Sequence, residues 1–180
     1  MDNTLPAVEL CQAERHVIVH SNVGVAGGQI EGATIKSLTA WHDDRGFFAE
    51  IFRDNEEVVE GFEVRQTSLT LTRPGTIKAF HYHRKQDDVF CCLVGAIRIA
   101  LIDLRKDSPT RGVANSIFCG DRSLKAVRIP AGVAHGYEVL GTEDMQMVYY
   151  TNQYYDPEDE YRFAFDDPAL GFTWWGVENR

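Results

Sequence analysis

Four side chains in two stretches of the sequence carry groups from which proton transfer or metal binding could be built. His81, His83 and Asp88 lie close together in the sequence, and His135 follows much later. Side chains at alternate positions of a strand point to the same face, so His81 and His83 are predicted to face the same way. An imidazole, with an unperturbed pKa of about 6.5, can accept a proton near neutral pH. Three imidazoles and one carboxylate are also a reasonable ligand set for Fe, Mn, Ni or Zn.

Both stretches resemble the two sequence motifs of the cupin superfamily. The first motif runs from Gly75 to Gly95 and contains the HxH pair, with Asp88 where many cupins have glutamate. The second motif, Pro130–Tyr137, matches the pattern PxGxxH around His135. This resemblance implies a small barrel whose interior is lined by all three histidines.

Further segments extend the resemblance from about Trp41 onward and make it narrower. They are Asp43–Glu50 (DDRGFFAE), Val64–Gln66 (VRQ), Lys78–Tyr82 (KAFHY), Asp103–Gly112 (DLRKDSPTRG), Pro130–Tyr137 (PAGVAHGY), Tyr154–Glu158 (YYDPE) and Asp167–Trp174 (DPALGFTW). In this order and spacing they resemble the motifs of the dTDP-4-dehydrorhamnose 3,5-epimerases.

The activity that this resemblance implies is inversion at carbons next to a ketone, in a dTDP-linked 4-keto-6-deoxyhexose of deoxysugar and polysaccharide biosynthesis. The C4 carbonyl acidifies the protons at C3 and C5. A base removes a proton from one face, and an acid returns one from the other face. Carried over residue by residue, His81 is the base, Asp167 is its orienting carboxylate and Tyr149 is the opposing acid.

The resemblance also implies a set of substrate-binding residues. They are Arg45, Glu50, Gln66, Lys78, His135 and Tyr155. Lys78 stands where the family usually has an arginine that meets the diphosphate, which keeps the charge but loses the bidentate fork. Two alternatives remain open at this point. Arg45 and Glu50 could form a surface ion pair, and Tyr155 could be a half-buried aromatic residue of a turn.

The sequence departs from the family at Asp88 and at His83. Asp88 stands where the family typically has a lysine that stabilises the enolate oxygen, and a carboxylate there would repel developing negative charge. Arg84 or Lys85 could substitute if the loop folds back. His83 stands where the epimerases usually lack histidine, so both departures move the site toward a metal-binding cupin.

We nevertheless expect no cofactor and no metal requirement, with His81 within hydrogen-bond reach of Asp167. A metal-bound histidine commits one ring nitrogen to the metal and the other to a supporting partner. Such a histidine cannot also take a proton from carbon. A catalytic His81 and a metal ligated by His81, His83, Asp88 and His135 would therefore exclude each other. In the metal-free case His83 and Asp88 line the substrate pocket, with Asp88 neutralised by Arg84 or Lys85.

Three functions compete on these residues. The first is a nucleotide-sugar epimerase, which Tyr149 and Asp167 favour because a metal cupin needs neither. The second is a metal-dependent cupin oxygenase or isomerase, which His83 together with Asp88 favours. The third is a non-catalytic sugar-binding cupin, which the loss of the lysine without a replacement would favour.

The elements that must position these residues read as short strands separated by turns. Segments rich in β-branched and aromatic residues are Thr34–Leu38, Phe62–Leu71, Val89–Val94, Ile97–Leu104, Leu124–Ile129, Tyr137–Leu140 and Met145–Thr151. This pattern predicts an all-β fold, a cupin-type antiparallel β-barrel or jelly roll. Short helical segments are predicted around Asn55–Gly61 and Pro157–Tyr161. The prediction is a single cupin domain over residues 1–180, with residues 1–30 forming an arm or an edge strand.

Composition excludes several classes of partner. The chain has 180 residues, 44% of them hydrophobic, and a formal net charge of −9. An acidic surface argues against nucleic-acid binding, which needs a basic face. No signal peptide or membrane span is read from the sequence, and the four cysteines show no metal or disulfide spacing. We therefore expect a cytoplasmic protein with a nucleotide-linked sugar as its partner. The family analogy adds a homodimer.

Overall fold

The computed structural model describes residues 11–55 and 59–175, which form a protein made almost entirely of strands. The strands are β1 Arg15–Ile18, β2 Thr34–Ser37, β3 Ala40–Asp43, β4 Gly46–Ala49, β5 Gln66–Thr72, β6 Ile77–Tyr82, β7 Asp88–Val94, β8 Ala96–Asp103, β9 Val113–Gly120, β10 Lys125–Ile129, β11 Val133–Leu140, β12 Met145–Thr151 and β13 Tyr161–Arg162. A 3₁₀ turn, Val25–Gly27, follows β1.

These strands form two large sheets and a separate hairpin. The six-stranded sheet has the order β1-β9-β8-β11-β6-β13, and the five-stranded sheet has the order β2-β10-β7-β12-β5. Strands β3 and β4 pair only with each other. The parallel pairing of β1 with β9 is an exception in a ladder pattern that is otherwise antiparallel. The predicted all-β, antiparallel class is confirmed.

Strand alternation explains why the two sheets pack against each other. Ile97, Ile99 and Leu101 occupy alternate positions of β8, are fully buried, and belong to one core cluster with Val127 and Met147 of the five-stranded sheet. Burying an aliphatic side chain of this size stabilises the fold by roughly 1.5–3 kcal/mol. The layer between the two sheets is therefore the main core of the protein.

The opposite face of the six-stranded sheet is also covered. Ala100 and Ile102 of β8 belong to a second cluster with Phe80, Phe172 and Trp174. The C-terminal segment thus lies over the outer face of this sheet. Because β8 is buried on both faces, its sequence is a nearly continuous apolar run instead of an alternating one.

Each strand predicted from the sequence is present, with shifts at several ends. The start of β5 moves from Phe62 to Gln66, and β11 begins at Val133 instead of Tyr137 and so includes His135. The predicted helical segment Pro157–Tyr161 is not helical, which corrects the prediction: residues 157–159 form a turn, and Tyr161 begins β13. The amide of Asp159 donates to the carbonyl of Asp156, and the chain then pairs with β6 through β13, which stops a helix from propagating. In the other predicted helix, residues 56–58 lie outside the described residues.

A glycine brings the strands that carry two of the histidines close together. A Cβ atom on Gly136 would lie 2.3 Å from the Ala79 Cβ and 2.7 Å from the Lys78 carbonyl oxygen. Only glycine allows β6 to approach β11 this closely. The register shifts at this point, and His135 lies directly opposite His81 across the two strands.

The N-terminal segment contributes an edge strand, since β1 pairs with β9 at the border of the six-stranded sheet. Residues 1–10 lie outside the described part of the chain. The single-domain boundary and the N-terminal arm stay predictions. Among the described residues, no helix has the length and apolar character that crossing a bilayer requires.

Candidate active site

The open end of the sandwich contains a cavity of about 300 Å³ lined by side chains from both sheets. The lining includes Gln66, Thr70, Lys78, His81, His83, Gln86, Asp88, Phe90, His135, Tyr149, Tyr155, Glu160 and Arg162. His81, His83 and His135 all face this interior, as strand alternation predicts. A cavity with several convergent polar and titratable groups is a typical ligand site.

The imidazole of His81 is held by a carboxylate at the cavity wall. His81 Nδ1 lies 2.7 Å from Glu160 Oε1, which also accepts a hydrogen bond from Arg162 Nε at 3.2 Å. Burial raises the pKa of Glu160, but the hydrogen bond from His81 and the electrostatic effect of the neighbouring His81 and His83 imidazoles outweigh it and hold the pKa at about 2. The ionised carboxylate accepts a hydrogen bond from the ring and orients it, so the pair is suited to general-base catalysis.

A phenol reaches the same cavity from the opposite sheet. Tyr149 lies on β12 of the five-stranded sheet, whereas His81 lies on β6 of the six-stranded sheet. The Tyr149 ring meets Phe90 edge-on, with the ring centroids 5.9 Å apart. A proton acceptor and a proton donor on facing sheets can act on opposite faces of a ligand bound between them.

A second polar cluster lies deeper in the cavity. Asp88 Oδ2 is 3.9 Å from His83 Nε2 and 3.6 Å from His135 Nε2. Burial raises the pKa of Asp88 to about 7 and lowers that of His135 to about 3. Within the described residues these three groups could hold a metal ion, since their ligand atoms all lie within 4.8 Å of one another.

Polar groups at the cavity mouth could bind the remainder of a ligand. Lys78 Nζ donates to Thr70 Oγ1 at 3.2 Å, which fixes one cationic side chain in the wall. The Gln66 side-chain oxygen accepts from the Tyr155 amide at 3.2 Å, so Tyr155 is tied to the edge of β5. These cationic, amide and aromatic groups fit an anionic, ring-bearing ligand.

Residues 28–180 match the family model described as dTDP-4-dehydrorhamnose 3,5-epimerase. The chain belongs to this epimerase family. The spore coat polysaccharide biosynthesis protein SpsL of Bacillus subtilis is 44% identical over 147 residues, which is 81% of this chain and 96% of that protein.

Solved structures of family members agree with this assignment and with the cupin-type fold. The dTDP-6-deoxy-D-glucose-3,5-epimerase of Legionella pneumophila, in complex with dTDP-4-keto-L-rhamnose, is 28% identical with a TM-score of 0.74, covering 81% of this chain and 80% of that one. ChmJ, a 3'-monoepimerase of Streptomyces bikiniensis in complex with dTDP-quinovose, is 27% identical with a TM-score of 0.74, covering 87% of this chain and 78% of that one.

The structure of this epimerase-family chain brings together most of the site residues predicted from the sequence. His81, Tyr149, Gln66, Lys78, His135 and Tyr155 all line the cavity. Their individual roles in catalysis and binding stay predictions. Three predicted residues, Asp167, Arg45 and Glu50, lie elsewhere.

Asp167 is not the partner of His81, so that prediction is wrong. Asp167 Oδ1 accepts a hydrogen bond from the amide of Ala169 at 2.9 Å and caps a turn outside the cavity lining. The physical reason is the register of β13, in which Arg162 lies directly opposite His81. This pairing places the carboxylate of the nearby Glu160 beside the imidazole.

Arg45 and Glu50 do not line the cavity of their own chain, which corrects the binding set for a single subunit. Arg45 forms an ion pair with Asp43, and Glu50 forms one with Arg53. The alternative interpretation was an ion pair between Arg45 and Glu50. The structure instead pairs each of them with a different residue. Both residues belong to the β3–β4 hairpin region, which lies outside the two main sheets.

The predicted neutralisation of Asp88 by Arg84 or Lys85 is not supported. The backbone amides of Arg84 and Lys85 donate to the Asp159 carboxylate at 2.9 and 3.0 Å, and the Arg84 guanidinium lies 4.8 Å from the centroid of the Tyr161 ring. Neither side chain lines the cavity. Asp88 Oδ2 is buried and has no hydrogen-bond partner.

Asp159 and Glu160 also contribute to the site, although no motif in the sequence indicated them. The Asp159 carboxylate holds the turn after His83, the Asp159 carbonyl oxygen contacts His83 Nδ1 at 2.9 Å, and Glu160 contacts His81. The signal available was an acidic pair directly before Tyr161 and Arg162. Its meaning depends on the long-range pairing of β13 with β6, which the local sequence does not reveal.

Substitution of each candidate carboxylate should identify the one that supports His81. Glu160→Gln keeps a hydrogen-bond acceptor but removes the charge, so we expect kcat for epimerisation to fall at least about tenfold, or ~1.4 kcal/mol of transition-state stabilisation. The matched variant Asp167→Asn should retain wild-type kcat. The measurement is steady-state kinetics of both variants, with circular dichroism to confirm folding. A loss of kcat in Asp167→Asn alone would reverse the assignment.

Proposed function

We propose that this chain is an epimerase acting on a dTDP-linked 4-keto-6-deoxyhexose, by proton abstraction and return at carbons beside the ketone. The observation that carries the proposal is the placement of the His81–Glu160 pair and Tyr149 on facing sheets of one cavity. Family membership supports the reaction class. The dTDP-sugar ligands of the Legionella and Streptomyces relatives support the substrate class.

The proposed reaction uses the two facing groups in sequence. His81, oriented by ionised Glu160, removes a proton from the carbon next to the ketone. The negative charge moves onto the ketone oxygen as an enolate. Tyr149 then donates its hydroxyl proton to the other face of the same carbon, which inverts it. Solvent restores the proton of Tyr149 and accepts the one held by His81, so the cycle needs no net acid or base.

Recognition of the nucleotide is proposed to use the groups at the cavity mouth. Lys78 supplies a positive charge for the diphosphate, and Gln66 and Tyr155 contact the sugar or the base. His135 lies at the inner end of the cavity and is 4% exposed, so it would meet the sugar ring instead of the nucleotide. The cationic side chains of Lys78 and Arg162 in the cavity lining suit a diphosphate ester.

We further infer that the chain acts as a homodimer in the cytoplasm. Trp41, Phe47 and Phe48 on the β3–β4 hairpin are each more than half exposed, and exposed aromatic clusters mark interaction surfaces. Arg45 is on the same hairpin, carries a charge suited to a diphosphate and does not line the cavity of its own chain. A second copy of the chain as the partner would give both the aromatic surface and Arg45 a function.

The proposal is tested by incubating the protein with dTDP-4-keto-6-deoxyglucose in D₂O and following the sugar by ¹H NMR. We expect deuterium at C3, at C5 or at both, together with the inverted product. The pattern of labelling also decides whether one or two carbons are inverted. Protein that is folded and leaves the substrate protonated would contradict the proposed reaction.

Binding of dTDP separates a failed reaction from a failed site. A ligand at a hundred times its Kd stabilises the folded state by about 2.7 kcal/mol, which for a chain of this size raises Tm by roughly 5–10 °C. A Tm increase without exchange would identify a non-catalytic sugar-nucleotide binder. Lys78→Met should reduce the increase, whereas exposed Lys106→Met, outside the cavity lining, should not.

A further inference from the structure

We propose that His83, Asp88 and His135 form a binding site for one divalent transition-metal ion in the inner part of the cavity. The site adjoins the His81–Glu160 pair that performs proton transfer in the proposed reaction, since Glu160 Oε2 lies 3.7 Å from His83 Nε2, but His81 itself is not among its ligands. It goes beyond the epimerase function, since that function is assigned without any ion.

Backbone carbonyl groups orient both imidazoles of the proposed site. His83 Nδ1 lies 2.9 Å from the Asp159 carbonyl oxygen, and His135 Nδ1 lies 3.1 Å from the Val133 carbonyl oxygen. A carbonyl oxygen only accepts, so the proton of each neutral ring is on Nδ1. Each Nε2 is then an unprotonated lone pair. Backbone carbonyls hold metal-binding histidines in this way, with the other ring nitrogen directed at the ion.

The two Nε2 atoms face a carboxylate oxygen of Asp88 that has no hydrogen-bond partner. Asp88 is 3% exposed, its Oδ1 accepts from Gln86 Nε2 at 3.0 Å, and its Oδ2 has no hydrogen-bond partner. Asp88 Oδ2 faces both His83 Nε2 and His135 Nε2, and Glu160 Oε2 also lies 3.7 Å from His83 Nε2. Three acceptor atoms thus converge in a buried space without a donor, and a buried polar atom without a partner costs free energy.

A metal ion would satisfy these three acceptor atoms better than a shared proton would. The two nitrogen-to-oxygen distances are 3.9 and 3.6 Å, longer than a hydrogen bond. A proton could also join only one pair of atoms at a time. A cation with ligand distances of about 2.0–2.2 Å holds its donors roughly 3–3.5 Å apart. Small movements of the three side chains would therefore bring all of them onto one ion.

The donor atoms indicate the class of ion. Two imidazole nitrogens and one carboxylate oxygen suit Zn²⁺, Fe²⁺, Co²⁺ or Ni²⁺ and leave further positions open. Ca²⁺ and Mg²⁺ prefer sites built from oxygen alone, so they fit poorly here.

Such an ion is compatible with a catalytic His81, which changes the expectation from the sequence. The predicted conflict arises only if His81 is itself a ligand. In the structure His81 Nδ1 is paired with Glu160, and His81 is not part of the group whose ligand atoms converge. The metal-free expectation is therefore replaced by two neighbouring sites with different chemistry.

The test is direct metal binding by the wild-type chain, prepared without nickel resin and dialysed against a chelator. Titration with Co²⁺ is expected to produce visible d–d absorption that saturates at one ion per chain. Equilibrium dialysis with Zn²⁺ should give the same stoichiometry. No substrate is used, so the result is independent of the epimerase proposal. Absence of saturable binding up to about 1 mM of either ion overturns the metal site.

Variants locate the ion within the cavity. Removing a partner that only supports a metal ligand typically weakens binding about 10- to 100-fold, so Asp88→Asn and His135→Ala should weaken it at least about 100-fold. His81→Asn should bind Co²⁺ as the wild type does. Equal weakening by His81→Asn, or unchanged affinity in Asp88→Asn, would contradict the proposed ligand set.

A measurement on wild-type protein covers the case in which a variant does not fold. Co²⁺ is paramagnetic, so the Nδ1–H protons of two ligand histidines should appear as two strongly shifted exchangeable ¹H NMR signals. A saturated Co²⁺ complex without such signals would place the ion elsewhere and overturn the proposal.

Discussion

The substitution His81→Asn is expected to abolish exchange of the substrate C–H protons with deuterated solvent. The imidazole of His81 lines the cavity, and its Nδ1 is hydrogen-bonded to ionised Glu160. Asparagine keeps a polar side chain of similar reach but cannot accept a proton from carbon at neutral pH. Losing a general base of this kind typically slows a reaction about 10²- to 10⁴-fold. Both deuterium incorporation and product formation should fall together.

The control for this variant is another histidine replaced in the same way. His20 is exposed and does not line the cavity, so His20→Asn should exchange at the wild-type rate. Binding of dTDP, followed by the increase in Tm, should survive in His81→Asn because the cavity mouth is unchanged. Wild-type exchange in His81→Asn would exclude the residue as the base.

The fold could be predicted from the sequence because its signal is local. Strands such as β8 and β12 are apolar and β-branched over their length and end at turn residues, so their positions follow from the order of residues alone. The prediction that His81 and His83 point to the same face follows from the alternation of side chains along a strand. Tyr149 came from the family resemblance, and the strand that carries it has a clear boundary in the sequence. The β3–β4 hairpin has no such clear signal, and it was not predicted as a pair of strands.

The supporting carboxylate of His81 could not be chosen from local sequence. Glu160 and Asp167 lie in the same C-terminal segment. Without the three-dimensional structure, either carboxylate could be placed beside the His81 imidazole. The choice depends on the pairing of β13 with β6, a contact between residues far apart in the chain. Two-residue strands such as β13 carry almost no periodic signal, so the motif-based assignment to Asp167 had nothing to correct it.

The division of the histidine and aspartate cluster into two groups could not be predicted from the sequence either. The sequence offers His81, His83, Asp88 and His135 as one possible ligand set, and the motifs do not divide it. The structure divides it through groups that no motif contains. Glu160 engages His81, while the carbonyl oxygens of Asp159 and Val133 orient the rings of His83 and His135. Backbone carbonyls are invisible in sequence patterns, although here they determine which nitrogens face Asp88.

The substitution Tyr149→Phe is expected to separate proton exchange from inversion. His81 can still remove a proton and return a solvent-derived deuteron to the same face, because the two groups lie on different sheets. The other face loses its only proposed donor. Deuterium should therefore enter the substrate with retained configuration, while inverted product falls about 100-fold or more. The measurement is ¹H NMR in D₂O, in which ring coupling constants distinguish the two configurations.

The neighbouring Tyr150 provides the matched control for this last variant. Tyr150 is 9% exposed, packs against Phe52 with ring centroids 4.6 Å apart, and does not line the cavity. Tyr150→Phe also removes one phenolic hydroxyl, but from the opposite face of the same strand, so exchange and inversion should both continue. Wild-type inversion in Tyr149→Phe would exclude the phenol as the donor. Loss of exchange as well as inversion in a folded Tyr149→Phe protein would mean that Tyr149 takes part in proton removal, and the division of roles between the two sheets would have to be abandoned.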